Sequence, residues 1–238
     1  MKSAKSIGRI IGILLLVHLV TGLTVPYILM HPLSTSPGFL VSAAGISFQV
    51  RLSVMMLFVG GAVTVGIAIA AWPVFRQYGY AMALWLLALA VVNFSLQAVE
   101  NGHWMSMLSL SQQYAQAGAA DAGLFQAMGA VVRSAWKWEH YAHLLVVVCW
   151  MFVLYGLLYR SALVPRALAA GGMLAAILQI VGITLPQFLD YHVPSPELFG
   201  LPLGITYLAL ALWLITRGFG ERSRPVAAKT HEAELSGA

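Results

Sequence analysis

Two short strings in the sequence hold the residue types able to do chemistry: Gln97-x-x-Glu100-Asn101-x-His103 and Trp136-Lys137-Trp138-Glu139-His140-x-x-His143. A spacing of three puts Glu100 and His103 on nearly one helix face, and His140 and His143 likewise, with Glu139 four residues before His143. Carboxylates and imidazoles in this mixture suit Zn, Fe or Mn, and helical bundles build metal sites from Glu-x-x-His elements. The metal reading takes His103, His140, His143 and Glu100 as ligands, with Glu100 or Glu139 as the base that activates a metal-bound water. The strings His-Glu-x-x-His and His-x-x-Glu-His are absent, so spacing leaves two other readings open. One is a structural network in which Glu100 pairs with Lys137 while Trp and His anchor helix ends; the other is a metal-free binding or catalytic pocket.

Further polar side chains stand near these strings or below them. Gln97 precedes Glu100 by three, Arg51 opens the second apolar segment, and Asp190 and His192 follow the fifth. His18 and Gln179 lie deeper within apolar runs, where His18 reads first as a packing residue and second as a haem axial ligand. Haem is the less favoured cofactor beside Zn, Fe or Mn.

The elements that must position these groups follow from composition. Of 238 residues, 60% are hydrophobic and only 9% charged, against about 25% charged in an ordinary soluble domain. A water-facing surface cannot be made from this stock. Runs of about 20 apolar residues, the length that crosses hydrocarbon as a helix, occur near 10–30, 52–75, 80–99, 141–159, 168–186 and 201–216. The expected fold is therefore all-α, a six-helix transmembrane bundle over 1–219, with a disordered polar tail over 220–238. The first run is expected to be retained rather than cleaved, since no small-residue cleavage site interrupts it. Gly60, Gly61, Gly66, Gly171 and Gly172 read as packing positions, and Pro26 and Pro186 as kinks or helix ends.

An even number of spans puts both termini on one side. Ten of the thirteen Lys and Arg fall on that side, leaving Arg51, Arg133 and Lys137 opposite, which predicts cytoplasmic termini. The opposite face then carries the longer connections, 31–51, 101–140 and 187–200, and is the expected working face. The first of these reads as irregular chain followed by a short interfacial segment over 42–50. In the second, Leu124, Phe125, Met128, Val131 and Val132 recur at helical spacing.

The basic residues are dispersed singly, with no stripe suited to a phosphate backbone, so nucleic acid is not an expected partner. The lone Cys149 allows no intrachain disulfide. Phosphate-cradling, dinucleotide and nucleophile-elbow motifs are missing, and the two halves show no inverted repeat.

The stretch Leu154-Tyr-Gly-Leu-Leu-Tyr-Arg160-Ser-Ala-Leu-Val-Pro165-Arg166-Ala-Leu168, with Gly8-Arg-Ile-Ile-Gly12, resembles an uncharacterised bacterial family of multi-spanning inner-membrane proteins known as a domain of unknown function. The likeness extends over most of 5–217. It implies a multi-pass protein of the bacterial inner membrane, and it carries over no assignment of catalytic or ligand residues. Three functions follow as expectations: a metal-dependent enzyme acting on a lipid-like or amphiphilic substrate at the outer face, a metal-free small-molecule transporter or binding module, and a structural or regulatory membrane partner. A homo-oligomer is compatible with each.

Overall fold

The computed structural model describes residues 3–117, 121–188 and 196–220. Among these the chain is all-helical: α1 (Ala4–Thr24, continued by a π-helical turn over Val25–Leu29), α2 (His31–Ser34), α3 (Phe39–Ser42), α4 (Ser47–Phe75), α5 (Tyr80–Gln116), α6 (Ala122–Ser161), α7 (Arg166–Phe188) and α8 (Leu201–Arg217). Five helices, α1 with its π turn and α4 to α7, are long and apolar enough to cross a membrane. Helix α8 is equally apolar but has 17 residues. Of the expected tail over 220–238 only Gly220 is among the described residues, and Asp190 and His192 lie outside them.

Each long helix packs on its neighbour in the chain, and α8 returns to α1, so α1, α4, α5, α6, α7 and α8 close into a ring. Small residues permit the closest approaches. Gly8 and Gly12, one turn apart on α1, face the backbone of Phe219 and of Ile215 and Ala211, where a Cβ would have no room. Gly60 and Gly61 meet Thr21 of α1 and Phe94 and Gln97 of α5, and Gly172 lies against the Tyr155 ring. Gly66, grouped with these by sequence, faces open space instead.

One end of the ring is fixed by short turns. Helix α4 runs through Pro73 to Phe75 and is followed by a tight turn; α6 stops where Ala162 takes a left-handed conformation (φ 49°) and Pro165 follows. The Gly220 N–H donates to the Leu163 carbonyl at 2.9 Å, Gly218 packs on Lys5, and Arg160 reaches Gly79. Lys5, Arg9, Arg76, Arg160, Arg166 and Arg217 therefore gather at this basic end.

The far end departs from expectation. Residues 101–116 and 122–140, expected as parts of a long loop, instead continue α5 and begin α6, which reach 37 and 40 residues. At 1.5 Å per residue these helices are about 55–60 Å long, so they exceed a hydrocarbon slab of about 30 Å by some 25 Å. Met107, Leu108 and Leu110 on the polar-looking stretch of α5 are buried, together with Trp104, under Val25, Met30, Leu33, Phe39, Ala43 and Val50. The first connection, expected to be irregular, folds as α2 and α3, and it is pinned where the Ala44 N–H donates to Ser111 Oγ at 2.9 Å. Helix α4 already begins at Ser47, in place of an interfacial segment over 42–50. Two apolar cores result, one inside the ring and one under this cap, and a polar layer separates them.

Candidate functional site

The polar layer begins with a stripe on α5. Asn93, Gln97, Glu100 and Asn101 recur at intervals of four, three and one, which holds them on one side of the helix, and all four are buried. Helices α4 and α6 flank α5, so the stripe looks into the joints between them. Measured from Tyr80 at the basic end, Glu100 stands about 30 Å along α5; measured from Ser161, His143 and His140 stand about 27 and 31 Å along α6. The three side chains thus meet at one level, one hydrocarbon thickness, about 30 Å, from the basic end.

Glu100 is the hub. Its Oε1 accepts from His140 Nδ1 at 2.8 Å and its Oε2 from His143 Nδ1 at 2.7 Å. The Glu100 and His143 side chains are only 5% and 8% exposed, whereas His140 is 40% exposed. On its other side His143 Nε2 lies 2.8 Å from Asn93 Oδ1, and Asn93 Nδ2 donates to Thr64 Oγ1 at 3.0 Å. The Thr64 hydroxyl hydrogen is committed to the Gly61 carbonyl at 2.7 Å, so its oxygen accepts from the Asn93 amide. That orientation turns the Asn93 carbonyl towards His143. Both nitrogens of His143 then face oxygens, Glu100 Oε2 on one side and Asn93 Oδ1 on the other, the hydrogen-bond pattern of an imidazolium beside a carboxylate counter-ion.

His140 differs in having an open nitrogen. Its Nδ1 is held by Glu100, its ring stacks on Trp136 (centroids 5.1 Å apart, planes 18° apart), and Trp136 leans on Trp104 at 4.9 Å. Among the described residues, no hydrogen bond engages Nε2. Beside this aromatic pair is a small cavity of about 10 Å³, room for a single water, lined by Leu33, Ser34, Phe39, Trp104, Met107, Arg133 and Trp136. Among the described residues, Trp136 Nε1 in the wall of this cavity and Glu139 Oε1 are buried without hydrogen-bond partners.

The sequence-derived candidates are thus divided. Glu100, His140 and His143 come together, but through hydrogen bonds on Nδ1 of each ring, and among the described residues no group of three or more His, Cys, Asp and Glu is arranged to hold a metal ion. His103 is half-buried and takes no part in the hydrogen-bonded group; Glu139 is beside it without joining it. The expected Glu100–Lys137 pair does not form, because Lys137 is exposed one turn further out with its ammonium 5.5 Å from the centre of the Trp138 ring. Gln97 donates to Asn101 at 3.2 Å, and Asn101 in turn donates to the Val54 carbonyl, tying α5 to α4. Arg51 is exposed and Gln179 half-buried, and neither takes part in the group's hydrogen bonds among the described residues. His18 points inward, its Nδ1 3.0 Å from the Tyr207 hydroxyl. Asn93 and Thr64 were not singled out in the sequence, although the Asn93, Gln97, Glu100 spacing is the signal that finds Asn93.

No curated protein and no solved structure matches the chain. A family model matches residues 10–218, most of the chain and all of the ring but the start of α1, and the protein therefore belongs to the family described as a domain of unknown function, DUF4386.

Proposed function

We propose that this multi-pass membrane protein is an enzyme whose His140 exchanges a proton with a lipid-like or amphiphilic molecule at the bilayer boundary. The observation that carries the reading is the one open ring nitrogen of the group: His140 Nε2 is accessible while its Nδ1 is held by a carboxylate, the arrangement that orients an imidazole as general acid or base. The buried pair behind it supports the same reading, since ionised groups kept within a membrane bundle are costly and mark sites or pathways. An imidazole at this depth meets headgroups and the ends of acyl chains, hence the amphiphilic substrate class.

In this reading α8, lengthened by the 3-10 turn Pro196–Phe199, serves as a sixth span, and the basic end faces the cytoplasm of a bacterial inner membrane. Cysteines placed at Arg76 and Gln113 in a Cys149→Ser background should then react with an impermeant maleimide from opposite sides.

The enzymatic reading is tested by incubating wild type and His140→Gln with vesicles of mixed polar lipids and following the species by mass spectrometry. Conversion of one lipid class by wild type and its loss in a variant of unchanged helicity are expected; no conversion, or equal conversion by both, overturns it.

A second reading has its own support. A carboxylate on Nδ1 with Nε2 turned outward is also how an outer carboxylate orients a metal-bound histidine. Elemental analysis of protein purified without chelating resin decides it: stoichiometric Zn, Fe or Mn that disappears in His140→Gln favours the metal, and metal-free protein after reconstitution leaves the acid–base reading.

A further inference from the structure

Farther from the basic end than His140, α6 carries a second set of polar groups that the acid–base reading does not use. Arg133, Trp136 and His140 succeed one another at intervals of three and four, so they line one face of α6 over two turns, about 10 Å from first to last. Trp136 stacks on His140 and, with Arg133 of the same helix and Ser34 of α2, also lines the small cavity between the cap and the long helices. Arg133 is exposed, so its guanidinium is reachable from the surface.

These groups donate, and the acceptor that would complete them must come from outside the cavity wall. Trp136 Nε1 is buried in that wall and, among the described residues, has no hydrogen-bond partner; an indole nitrogen can only donate. Arg133 presents a planar fork of N–H groups and, among the described residues, belongs to no ion pair. Ser34 adds a hydroxyl. Counter-charge is scarce around them. The segments 31–50, 101–116 and 122–138, which build the cap and the outer parts of α4, α5 and α6, contain no Asp or Glu, while Lys137 follows Arg133 by one turn. Glu139 stands six residues after Arg133, about 120° round the helix, and Asp121, before the first turn of α6, is about 18 Å away along the axis. A positive, donor-lined site of this kind attracts an anion.

We infer that Arg133, Trp136 and Ser34 bind the phosphate of an amphiphile's headgroup and so present that molecule to His140, an inference that rests on the acid–base reading and names its substrate class. A phosphate accepts in several directions. One oxygen fits the water-sized cavity at Trp136, while the others meet the Arg133 fork. A planar carboxylate would serve one of these donors well and the rest poorly. The surroundings suit an amphiphile better than a free ion, because Val41 of the cap, Phe48 of α4, and Met128 and Val131 of α6 leave apolar side chains exposed for acyl chains to cover. With its phosphate one to two turns beyond His140, the bound molecule runs inward past the open ring nitrogen.

The test titrates the full chain in maltoside micelles with dihexanoyl phosphatidic acid, with dihexanoyl glycerol and with inorganic phosphate. Binding is read by calorimetry and by the ¹⁵N–¹H resonances of the tryptophan indoles, that of Trp136 being assigned with Trp136→Phe. Phosphatidic acid is expected to saturate, to move the Trp136 indole proton downfield, and to bind at least about tenfold more weakly to Arg133→Gln. Arg133 is exposed, so this variant leaves the core intact. Equal affinity of wild type and Arg133→Gln, an unmoved Trp136 resonance, or dihexanoyl glycerol binding as tightly overturns the phosphate site. Inorganic phosphate binding as tightly as phosphatidic acid overturns the amphiphile as its source. Because binding is read without turnover, the two readings fail separately. A chain that binds phosphatidic acid in this way but converts no lipid overturns the acid–base reading alone; one that converts lipid without this binding overturns the headgroup site alone.

Discussion

Replacing Glu100 by Gln keeps the side-chain volume and removes the charge that two imidazoles share. The carboxylate accepts at 2.8 and 2.7 Å from His140 and His143. An amide retains one acceptor oxygen and turns an NH₂ towards the other ring, which also presents a donor. Hydrogen bonds to a charged group contribute about 1.5–3 kcal/mol each, and removing one partner of a buried pair costs about 3–5 kcal/mol. Because one acceptor survives in Gln, about 3 kcal/mol is expected, a fall in Tm of roughly 6–12 °C at the 2–4 °C per kcal/mol typical of chains this size. The partner at the open side behaves differently: His140 is 40% exposed and makes one of the bonds, so solvent screening holds His140→Gln to about 1 kcal/mol or less. The assay is unfolding in mixed micelles followed by circular dichroism, with Glu100→Leu/His143→Leu as control. Removing both partners together should recover much of the loss, since no charge is then left buried alone. Glu100→Gln as stable as wild type, or no less stable than His140→Gln, would refute the buried ion pair.

Diethyl pyrocarbonate, which acylates an open imidazole nitrogen, should modify His140 well before His143, and peptide mapping of protein in nanodiscs reads the order; His143 reacting first would contradict the assigned hydrogen bonds. Gly172→Ala drives a Cβ into the fully buried Tyr155 ring and should destabilise by about 1–3 kcal/mol, whereas Gly66→Ala meets nothing within 4 Å and should be neutral or stabilising. Thermal midpoints in detergent compare the two directly, and equal losses would show that the close approach of α6 to α7 is misplaced.

The membrane segments were legible because hydrocarbon imposes a length and an apolar composition that few other structures need. Their ends were not. Ser106–Ala117 reads as polar loop, yet Met107, Leu108 and Leu110 find a buried partner surface in α2 and α3, and tertiary packing overrides the local composition. The stripe at Leu124, Phe125, Met128, Val131 and Val132 was read correctly as helical; Phe125 and Val132 pack on the cap, while Leu124, Met128 and Val131 stay exposed.

In the site, spacing placed Glu100 near His140 and His143 but could not say how they would meet. A three-residue interval is equally compatible with metal ligation and with hydrogen bonding, and which ring nitrogen faces the carboxylate depends on helix rotation. His103 shares the interval from Glu100 without sharing the hub, because the α6 surface that supplies both imidazoles approaches the Glu100 side of α5. Asn93 and Thr64 are single polar residues in long apolar runs, and only the fold shows that they complete one chain of donors and acceptors.

The central claim is that Glu100 holds two imidazoles in different states, one closed and charged, the other open to exchange. Solid-state NMR of ¹⁵N-histidine-labelled protein in lipid bilayers, assigned with His140→Gln and His143→Gln, measures it directly. The account predicts that both nitrogens of His143 carry hydrogen at neutral pH and that Nε2 of His140 exchanges with water. A neutral His143 with one bare ring nitrogen, or a His140 Nε2 shielded from water, would contradict it.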